Sequence, residues 1–243
     1  MKILQLNVWT GRIKGALKDF FKDNDFDVIC LQEAVWGNDL ASNLFTTVEQ
    51  IQELTGLKHV VYSSNWGLNI FKSGKVLEQG NVILCRDEIV AEKNITAHGE
   101  YKIVNSDDDF YNHAYTAQSI TLKNGLAIIN HHGYWQPNPI GNKTTVEAMQ
   151  KVADLIHEAT GPVVMCGDLN IIHDSPAMRA LDFLHDLTHE YNVDNTLSGL
   201  KFIGKVACDH ILVSNDITVK NFQVLDNLIS DHKALTAEIT VAS

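Results

Sequence analysis

The stretch that decides the fold is GPVVMCGDLNIIHDSP, residues 161–176. Its apolar part, VVMC, has the length of a strand, and a continuous apolar run is typical of a strand buried on both faces. The residues GDLN, 167–170, follow at once. An acid at the end of a buried strand is usually a turn residue that bonds its own backbone. The alternative is that the strand carries Asp168 to a site where a carboxylate is needed.

Similar short runs rich in valine and isoleucine recur along the chain and predict further strands. Amphipathic stretches predict helices over 15–23, 40–54 and 144–159, the last with Thr144 as N-cap and Glu147 three residues later. This mixture indicates a layered α/β fold with two packed sheets and outer helices. The predicted strands are 2–8, 27–32, 58–63, 81–85, 126–131, 162–166, 206–213 and 234–241.

Length and composition limit the classes of function. The 243 residues contain no linker or repeat, so we predict a single domain over 1–243. Nineteen Lys and Arg against 30 Asp and Glu give a net charge of −11. This balance argues against long duplex nucleic acid as an obligatory ligand, because such proteins usually carry a basic face. A bound divalent cation would change the local sign of a site.

The cysteines and the N-terminus indicate the compartment. The four cysteines lie in apolar runs without a CxxC pair, which predicts buried free thiols rather than a thiolate metal site. The start MKILQLNVW has no apolar segment long enough for a signal peptide or a membrane span. We therefore predict a cytoplasmic protein with no membrane partner and no obligatory protein partner.

Polar residues recur at the ends of the predicted strands. Each alone is explained by turn formation, but six strand ends with an acid, an amide or an imidazole make that explanation weaker, because sites are often built where strand ends gather. These residues are Asn7, Glu33, His131, His132, Asp168, Asn170, Asp209, Asp231 and His232.

The residue types favour a particular chemistry. Glu33, Asn7 and Asp231 offer the oxygen ligands that Mg²⁺ prefers. Zinc is the alternative, but the sequence contains no HExxH motif and no Cys/His spacing typical of zinc. Asp168 could activate a water molecule, and Asn170 could donate a hydrogen bond to an anionic oxygen.

Six short motifs, in this order, resemble the signature series of the endonuclease/exonuclease/phosphatase superfamily, the group that contains deoxyribonuclease I and exonuclease III. The resemblance implies a four-layer α/β sandwich of two packed mixed sheets with outer helices. It also implies a hydrolase that acts on phosphoester bonds and depends on Mg²⁺, with Mn²⁺ as the alternative metal. The motifs are LNVW (6–9), LQE (31–33), NHHG (130–133), GDLN (167–170), CDHI (208–211) and SDH (230–232).

The resemblance also implies roles for the matching residues. Glu33 is then the main metal ligand, assisted by Asn7 and Asp231. Asp168 activates water and Asn170 holds the phosphate. The catalytic set is completed by two histidines and a carboxylate that orients one of them, namely His132, His232 and Asp209.

One assignment stays open between neighbouring histidines. The family pattern at this strand end reads N-T-H-L, which places His132 in the histidine position and His131 in the threonine position. Strand alternation must turn one of the pair away from the site. His131 therefore remains the alternative.

Loops beside the strand ends should set the substrate. Tyr134 and Trp135 could stack on a base, and Asn142 and Lys143 precede a helix whose first amides could bind phosphate. Packing and surface exposure are the competing explanations. The acidic run 107–109 lacks the spacing of an EF-hand loop, so we predict a solvated turn there.

The leading hypothesis is a divalent-metal-dependent phosphoesterase that hydrolyses phosphodiester bonds by attack of water. Its substrate would be a nucleic-acid end, a nucleotide or a small phosphodiester. One alternative is a DNA repair endonuclease or exonuclease of the abasic-site type, which should have a basic groove. The other is an inert binding module, which should have lost part of the constellation, yet every member of it is present.

Overall fold

The computed structural model describes residues 1–69, 75–104, 113–201 and 204–241, so the acidic run 107–109 lies outside the described residues. Within these ranges the chain forms thirteen strands and four α-helices. The strands are β1 (Lys2–Asn7), β2 (Val28–Trp36), β3 (His59–Leu68), β4 (Leu77–Cys85), β5 (Ile89–His98), β6 (Ile103–Val104), β7 (Tyr115–Leu122), β8 (Ala127–His132), β9 (Val163–Asp168), β10 (His185–Asp186), β11 (Asp209–Val213), β12 (Ile217–Leu225) and β13 (Ala234–Val241). The helices are α1 (Lys14–Asp23), α2 (Val48–Thr55), α3 (Lys143–His157) and α4 (Leu187–Glu190).

The strands divide into two mixed sheets. Sheet A has the order β12-β13-β1-β2-β4-β3-β6, and sheet B has the order β10-β11-β9-β8-β7-β5. Each sheet contains a central parallel pair, β1 with β2 in sheet A and β8 with β9 in sheet B. The remaining central pairings are antiparallel. The predicted pair of mixed sheets is confirmed.

Three apolar clusters separate four layers. The first lies between the sheets and joins residues such as Ile3 of sheet A and Val164 of sheet B. The second packs the outer face of sheet B on α3, through Met165 and Val152. The third packs the outer face of sheet A on α1 and α2, with Phe21 among its members. Strand alternation produces this arrangement, because successive side chains point to opposite faces of a sheet.

The helix predicted over 40–54 is broken in the structure. A short 3-10 helix, Asp39–Asn43, comes first, and α2 begins only at Val48. Between them the backbone N–H of Thr46 donates to the carbonyl of Gly11, which fixes the chain outside a helical path. Leu44, which a continuous amphipathic helix over 40–54 would bury with Val48 and Ile51, is 54% exposed.

Two predicted boundaries are also wrong. The N-cap of α3 is Asn142, whose side chain accepts from Thr145 N, rather than Thr144. The strand predicted over 206–213 begins at Asp209, opposite Asp168, because its partner β9 ends there. The backbone N–H of Cys208 donates instead to the side-chain Oγ1 of Thr196, a loop residue.

The cysteines agree with the prediction: all four are buried free thiols. Among the described residues, no helix combines the length and the apolar character that a membrane crossing requires.

Candidate functional site

The two central parallel pairs end at one edge of the sandwich and bring polar side chains together there. Asn7 ends β1, and His132 and Asp168 are register partners at the ends of β8 and β9. Asp209 begins the antiparallel β11 directly opposite Asp168. These side chains share the face of their strands that is turned toward the other sheet, as Ile128 and Val164 do further along. The interface between the sheets thus ends in a cluster of buried polar side chains at this edge.

Glu33 reaches this edge through a break in strand alternation. The register of β2 against β4 shifts between Leu31 and Ala34, which marks a β-bulge. Glu33 lies in the bulge with φ of 52°, the left-handed region that side chains other than Gly rarely adopt. Regular alternation would turn Glu33 to the outer face of the sheet, with Leu31. In the structure Glu33 instead turns toward Asn7, whose Nδ2 donates to Glu33 Oε1 at 3.1 Å. Strain of this kind is concentrated at functional sites.

Asp168 lies at the centre of the cluster and is almost completely buried, with 1% exposure. Its Oδ2 accepts from Asn7 Nδ2 at 2.9 Å, and its Oδ1 accepts from the backbone N–H of Asn170 at 3.1 Å. The same Oδ2 lies 3.6 Å from Nε2 of His132 and 3.6 Å from Nε2 of His232. One carboxylate oxygen therefore faces two imidazoles.

His232 is paired with a second carboxylate behind it. Its Nδ1 donates to Asp209 Oδ2 at 2.8 Å, and Asp209 is fully buried. Burial alone would lower the pKa of His232, but the charges of Asp209 and Asp168 outweigh it and raise that pKa well above the usual range. Burial would likewise raise the pKa of Asp209, yet His232 and the hydrogen bonds around the carboxylate lower it. The pair is held as imidazolium and carboxylate.

Asp231, next to His232 in the chain, is a further acidic group near Glu33. Burial, with a contribution from the Glu33 charge, raises the pKa of Asp231. Lys201 Nζ is 3.7 Å from Asp231 Oδ2 and partly offsets this repulsion. Two neighbouring carboxylates that repel each other are suited to holding a cation.

Four other residues, Asp168, Cys208, Asp209 and His232, place ligand atoms within 4.8 Å of one another, and this geometry alone would also permit an ion. Their chemistry is less suitable. Burial raises the pKa of Cys208 to about 12, so the sulfur is a neutral thiol. Both oxygens of Asp209 already accept hydrogen bonds. Hard divalent ions prefer carboxylate oxygens to a neutral thiol, and Glu33 and Asp231 supply two carboxylates.

The two neighbouring histidines lie on opposite faces of β8. His132 points toward Asp168, whereas Nδ1 of His131 donates to the carbonyl of Thr116 at 2.8 Å. Complete burial lowers the pKa of His131 to about 4, so its ring is neutral. The structure therefore brings His132, and not His131, to Asp168.

Asn170 is held against the loop that follows His132. It has φ of 55°, a region that Asn tolerates better than most residues, and its Nδ2 donates to the carbonyl of Gly133 at 2.9 Å. The Gly133 N–H donates to the carbonyl of Asp168 at 2.8 Å. The loops after β8 and β9 are thus fastened to each other.

Gly133→Ala tests this close contact between the loops. A Cβ at Gly133 would lie 2.1 Å from the carbonyl oxygen of Leu169, so backbone must move. We expect the free energy of unfolding to fall by about 2 kcal/mol, the cost of overpacking, in urea titrations. Gly15→Ala is the matched control, because nothing lies within 4 Å of its Cβ and α1 should gain stability. Equal stability of the two variants would contradict the close fit.

The four predicted substrate-binding residues have different surroundings. Tyr134 packs edge-on against Tyr115 and His98, with ring centroids 5.3 Å and 4.7 Å away, and Tyr115 in turn contacts the His132 ring at 6.2 Å. Trp135 is 45% exposed in the same loop. Asn142 caps α3, and Lys143 is exposed beside Glu147. Of the four, Tyr134 is connected to His132 through Tyr115.

Some contributors to the cluster are absent from the sequence prediction. Thr196 Oγ1 donates to Asp209 Oδ2 at 2.6 Å, but Thr196 lies in a loop with no pattern that marks it. His113 feels the charges of His132 and Glu33, and burial lowers its pKa to about 4. Gln5 Nε2 donates to Asp209 Oδ1 at 3.0 Å. Its position two residues before Asn7, on the same face of β1, is a signal that alternation could have supplied.

Solved structures with the same architecture span the whole chain. The catalytic domain of human Nocturnin with bound sulfate is 15% identical, with a TM-score of 0.70 over 100% of this chain and 94% of that one. The mannosyl-6-phosphatase Bt3783 of Bacteroides thetaiotaomicron is 17% identical, with a TM-score of 0.68 over 99% of each chain. ANGEL2, a 2′,3′-cyclic phosphatase, is 13% identical, with a TM-score of 0.68 over 98% of this chain and 94% of that one. At these identities the likeness shows the fold.

Sequence comparison identifies the family. No curated protein sequence matches the chain significantly. The model of the endonuclease/exonuclease/phosphatase family, in contrast, matches residues 4–232, which include every strand end of the cluster from Asn7 to His232. The chain therefore belongs to the endonuclease/exonuclease/phosphatase family.

Proposed function

We propose that this protein is a divalent-metal-dependent phosphoesterase that cleaves phosphodiester bonds by attack of water. The observation that carries the proposal is the position of Asp168: its Oδ2 lies 3.6 Å from Nε2 of both His132 and His232. A base flanked by two groups that can bear positive charge suits the hydrolysis of an anionic ester. Membership of the family supports the same reaction class.

Asp168 is the general base of the proposed reaction. Hydrogen bonds from Asn7 and from the Asn170 backbone fix both of its oxygens. It takes a proton from water as the water oxygen forms a bond to phosphorus. The bond from phosphorus to the leaving oxygen then breaks, and the leaving oxygen takes a proton.

The two histidines and Asn170 act on the phosphoryl group. His232, held as a cation by Asp209, stabilises the negative charge that develops on the phosphoryl oxygens and can protonate the leaving oxygen. His132, whose Nε2 lies on the other side of Asp168, would donate a hydrogen bond to a phosphoryl oxygen. The Asn170 amide is anchored by Gly133 and lies beside the general base, where it can orient the phosphate.

Glu33 and Asp231 would hold Mg²⁺ or Mn²⁺, which when bound would offset negative charge on the phosphoryl oxygens. The donor set fits, since both groups are carboxylates and the charge of Glu33 acts on Asp231. Asn7 was predicted as a third ligand. In the structure its NH₂ group faces Glu33 and Asp168 while its oxygen accepts from Trp9 N–H, so we assign it the positioning of Glu33.

The function is tested by hydrolysis assays with and without added metal. Purified protein is incubated with bis-p-nitrophenyl phosphate, p-nitrophenyl phosphate, a single-stranded oligonucleotide and an abasic duplex, in Mg²⁺, in Mn²⁺ and in chelator. We expect metal-dependent cleavage of the diester. Activity on the monoester alone would overturn the phosphodiester assignment, and cleavage of the abasic duplex alone would favour a repair nuclease. No metal-dependent cleavage of any substrate would contradict the proposal.

Two variants locate the metal. Glu33→Gln should raise the Mg²⁺ concentration for half-maximal activity by more than about tenfold, because it removes a charged ligand. Cys208→Ser is the comparator, since the other cluster of ligand atoms includes the Cys208 sulfur and lacks Glu33. The measurement is activity across a Mg²⁺ titration. A shift for Cys208→Ser without one for Glu33→Gln would place the ion at the other cluster.

A further inference from the structure

A chain of buried amides crosses the interface between the sheets and ends on Asp209. Gln5 Nε2 donates both to Asp209 Oδ1 at 3.0 Å and to Gln32 Oε1 at 2.9 Å. Gln32 Nε2 donates to Asn130 Oδ1 at 2.7 Å. These amide side chains and the carboxylate are completely buried. The chain runs between the two sheets, from β8 in sheet B to β2 and β1 in sheet A and back to β11.

The direction of every amide in this chain is fixed by its partners. Asn130 Nδ2 donates to the backbone carbonyls of Leu31 and Val82, at 2.9 and 3.0 Å, and to Gln118 Oε1 at 3.1 Å. The Asn130 oxygen must therefore accept from Gln32 Nε2. Because the Gln32 NH₂ group is then turned toward Asn130, the Gln32 oxygen faces Gln5. Gln5 can then present only N–H groups to Gln32 and to Asp209. A flipped Gln5 would set its oxygen against two acceptors.

Gln5 complements the other contacts of the Asp209 carboxylate. Oδ2 accepts from His232 Nδ1 and from Thr196 Oγ1. Oδ1 accepts from Gln5. Without a donor on Oδ1 the carboxylate could rotate about its Cβ–Cγ bond, and rotation would move Oδ2 away from His232. Residues that hydrogen-bond to a catalytic side chain from the side away from the substrate control its orientation in this way.

The same layer could have been apolar. Residues such as Ile3, Cys30 and Ile128 fill the neighbouring part of the interface between the sheets. Well-packed apolar residues stabilise a core at least as well as a fully bonded polar network. The polar layer lies instead next to Asp209, whose orientation sets the position of the His232 ring.

We propose that Gln5 is a positioning residue that fixes the Asp209 carboxylate, and through it the His232 ring, with Gln32 and Asn130 setting the direction of the Gln5 amide. The inference rests on the proposed function of His232. It assigns a role in the reaction to Gln5, which lies two positions before Asn7 on the same face of β1.

Gln5→Met tests the proposal, with Gln118→Met as the matched control. Both variants remove one completely buried amide from the same layer. Gln118 donates to the Val61 carbonyl, and its loss leaves Asn130 with both backbone acceptors. We expect Gln5→Met to lower kcat by about tenfold to a hundredfold with KM changed by less than about twofold. Gln118→Met should keep kcat within about threefold of the unaltered protein.

A second readout does not depend on turnover. The proton on Nδ1 of His232 lies in the hydrogen bond to Asp209. Its NMR signal in ¹⁵N-histidine-labelled protein is assigned by its disappearance in His232→Gln. We expect this signal to shift upfield and broaden in Gln5→Met and to stay in place in Gln118→Met. Unchanged signal and kcat in Gln5→Met, or equal changes in both variants, would overturn the proposal. If the unaltered protein hydrolyses no phosphoester, the proposed function fails, and the proton signal still decides the role of Gln5.

Discussion

Asp168→Asn is expected to lower kcat by ~10³-fold or more while leaving the fold intact. The amide keeps the shape of the side chain but cannot accept a proton from water at neutral pH. Oδ2 is the atom that faces both imidazoles at 3.6 Å, so its replacement acts at the centre of the cluster. The measurement is the rate of diester hydrolysis at saturating metal, with circular dichroism and urea titration to verify folding.

The control for Asp168→Asn is Asp174→Asn. Asp174 is an exposed carboxylate six residues further along the same chain segment. It should keep full activity, which separates the loss of one negative charge from the loss of the general base. An Asp168→Asn protein with normal activity would remove the proposed mechanism.

Much of the fold was predictable because the decisive strands are continuous and apolar. The runs that became β1, β8 and β9 are buried in the centres of the sheets. Helix α3 was also predicted, within two residues at its C-terminal end. Its cap was not, because Thr144 with Glu147 matches the usual capping-box sequence, whereas the structure caps the helix with Asn142 and Thr145. Only the tertiary path of the preceding loop decides between them.

The strands that the sequence did not predict carry polar residues for physical reasons. β5 and β12 lie at the edges of their sheets, where one row of backbone groups and many side chains meet solvent. β7 lies inside sheet B, but Gln118 contributes an amide to the buried layer between the sheets. A buried polar residue hides the apolar pattern on which strand prediction depends.

The candidate site shows the same limit at Glu33. Its position in the LQE motif identified it, whereas strand alternation would have turned it to the helix layer. The bulge in β2 that corrects its direction leaves no mark in the sequence that we could have used. Thr196 and His113 are further cases, since tertiary contacts alone bring them to the cluster.

Two buried Asp–His pairs involve the neighbouring β11 residues Asp209 and His210, and they differ in surroundings. His232 faces Asp168 on one side and Asp209 on the other. His210, the neighbour of Asp209 in β11, points to the opposite face, where its Nδ1 donates to Asp186 Oδ2 at 2.9 Å and its Nε2 to the carbonyl of Ile171. The Asp186–His210 pair therefore has the same chemistry as the Asp209–His232 pair but lies on the opposite face of β11.

Asp209→Asn should lower kcat/KM by ~10²-fold or more near neutral pH, since it removes the buried charge that keeps His232 protonated. The carboxylates of Asp209 and Asp168 raise the pKa of His232 against the effect of burial, so the loss of one of them lowers that pKa. A reaction that needs the imidazolium loses activity as pH rises through the pKa. The alkaline limb of the kcat/KM profile should therefore move to lower pH in Asp209→Asn.

Asp186→Asn is the matched control for Asp209→Asn, because it breaks the other buried Asp–His pair. Asp186→Asn should lower the free energy of unfolding, because it leaves a buried imidazolium without its carboxylate partner. Its pH profile should keep the alkaline limb of the unaltered protein, since Asp186 contacts His210 and His173 rather than His232. If the limb moved equally in both variants, the loss of activity would reflect general destabilisation. If it moved in neither, protonated His232 would have no part in the reaction.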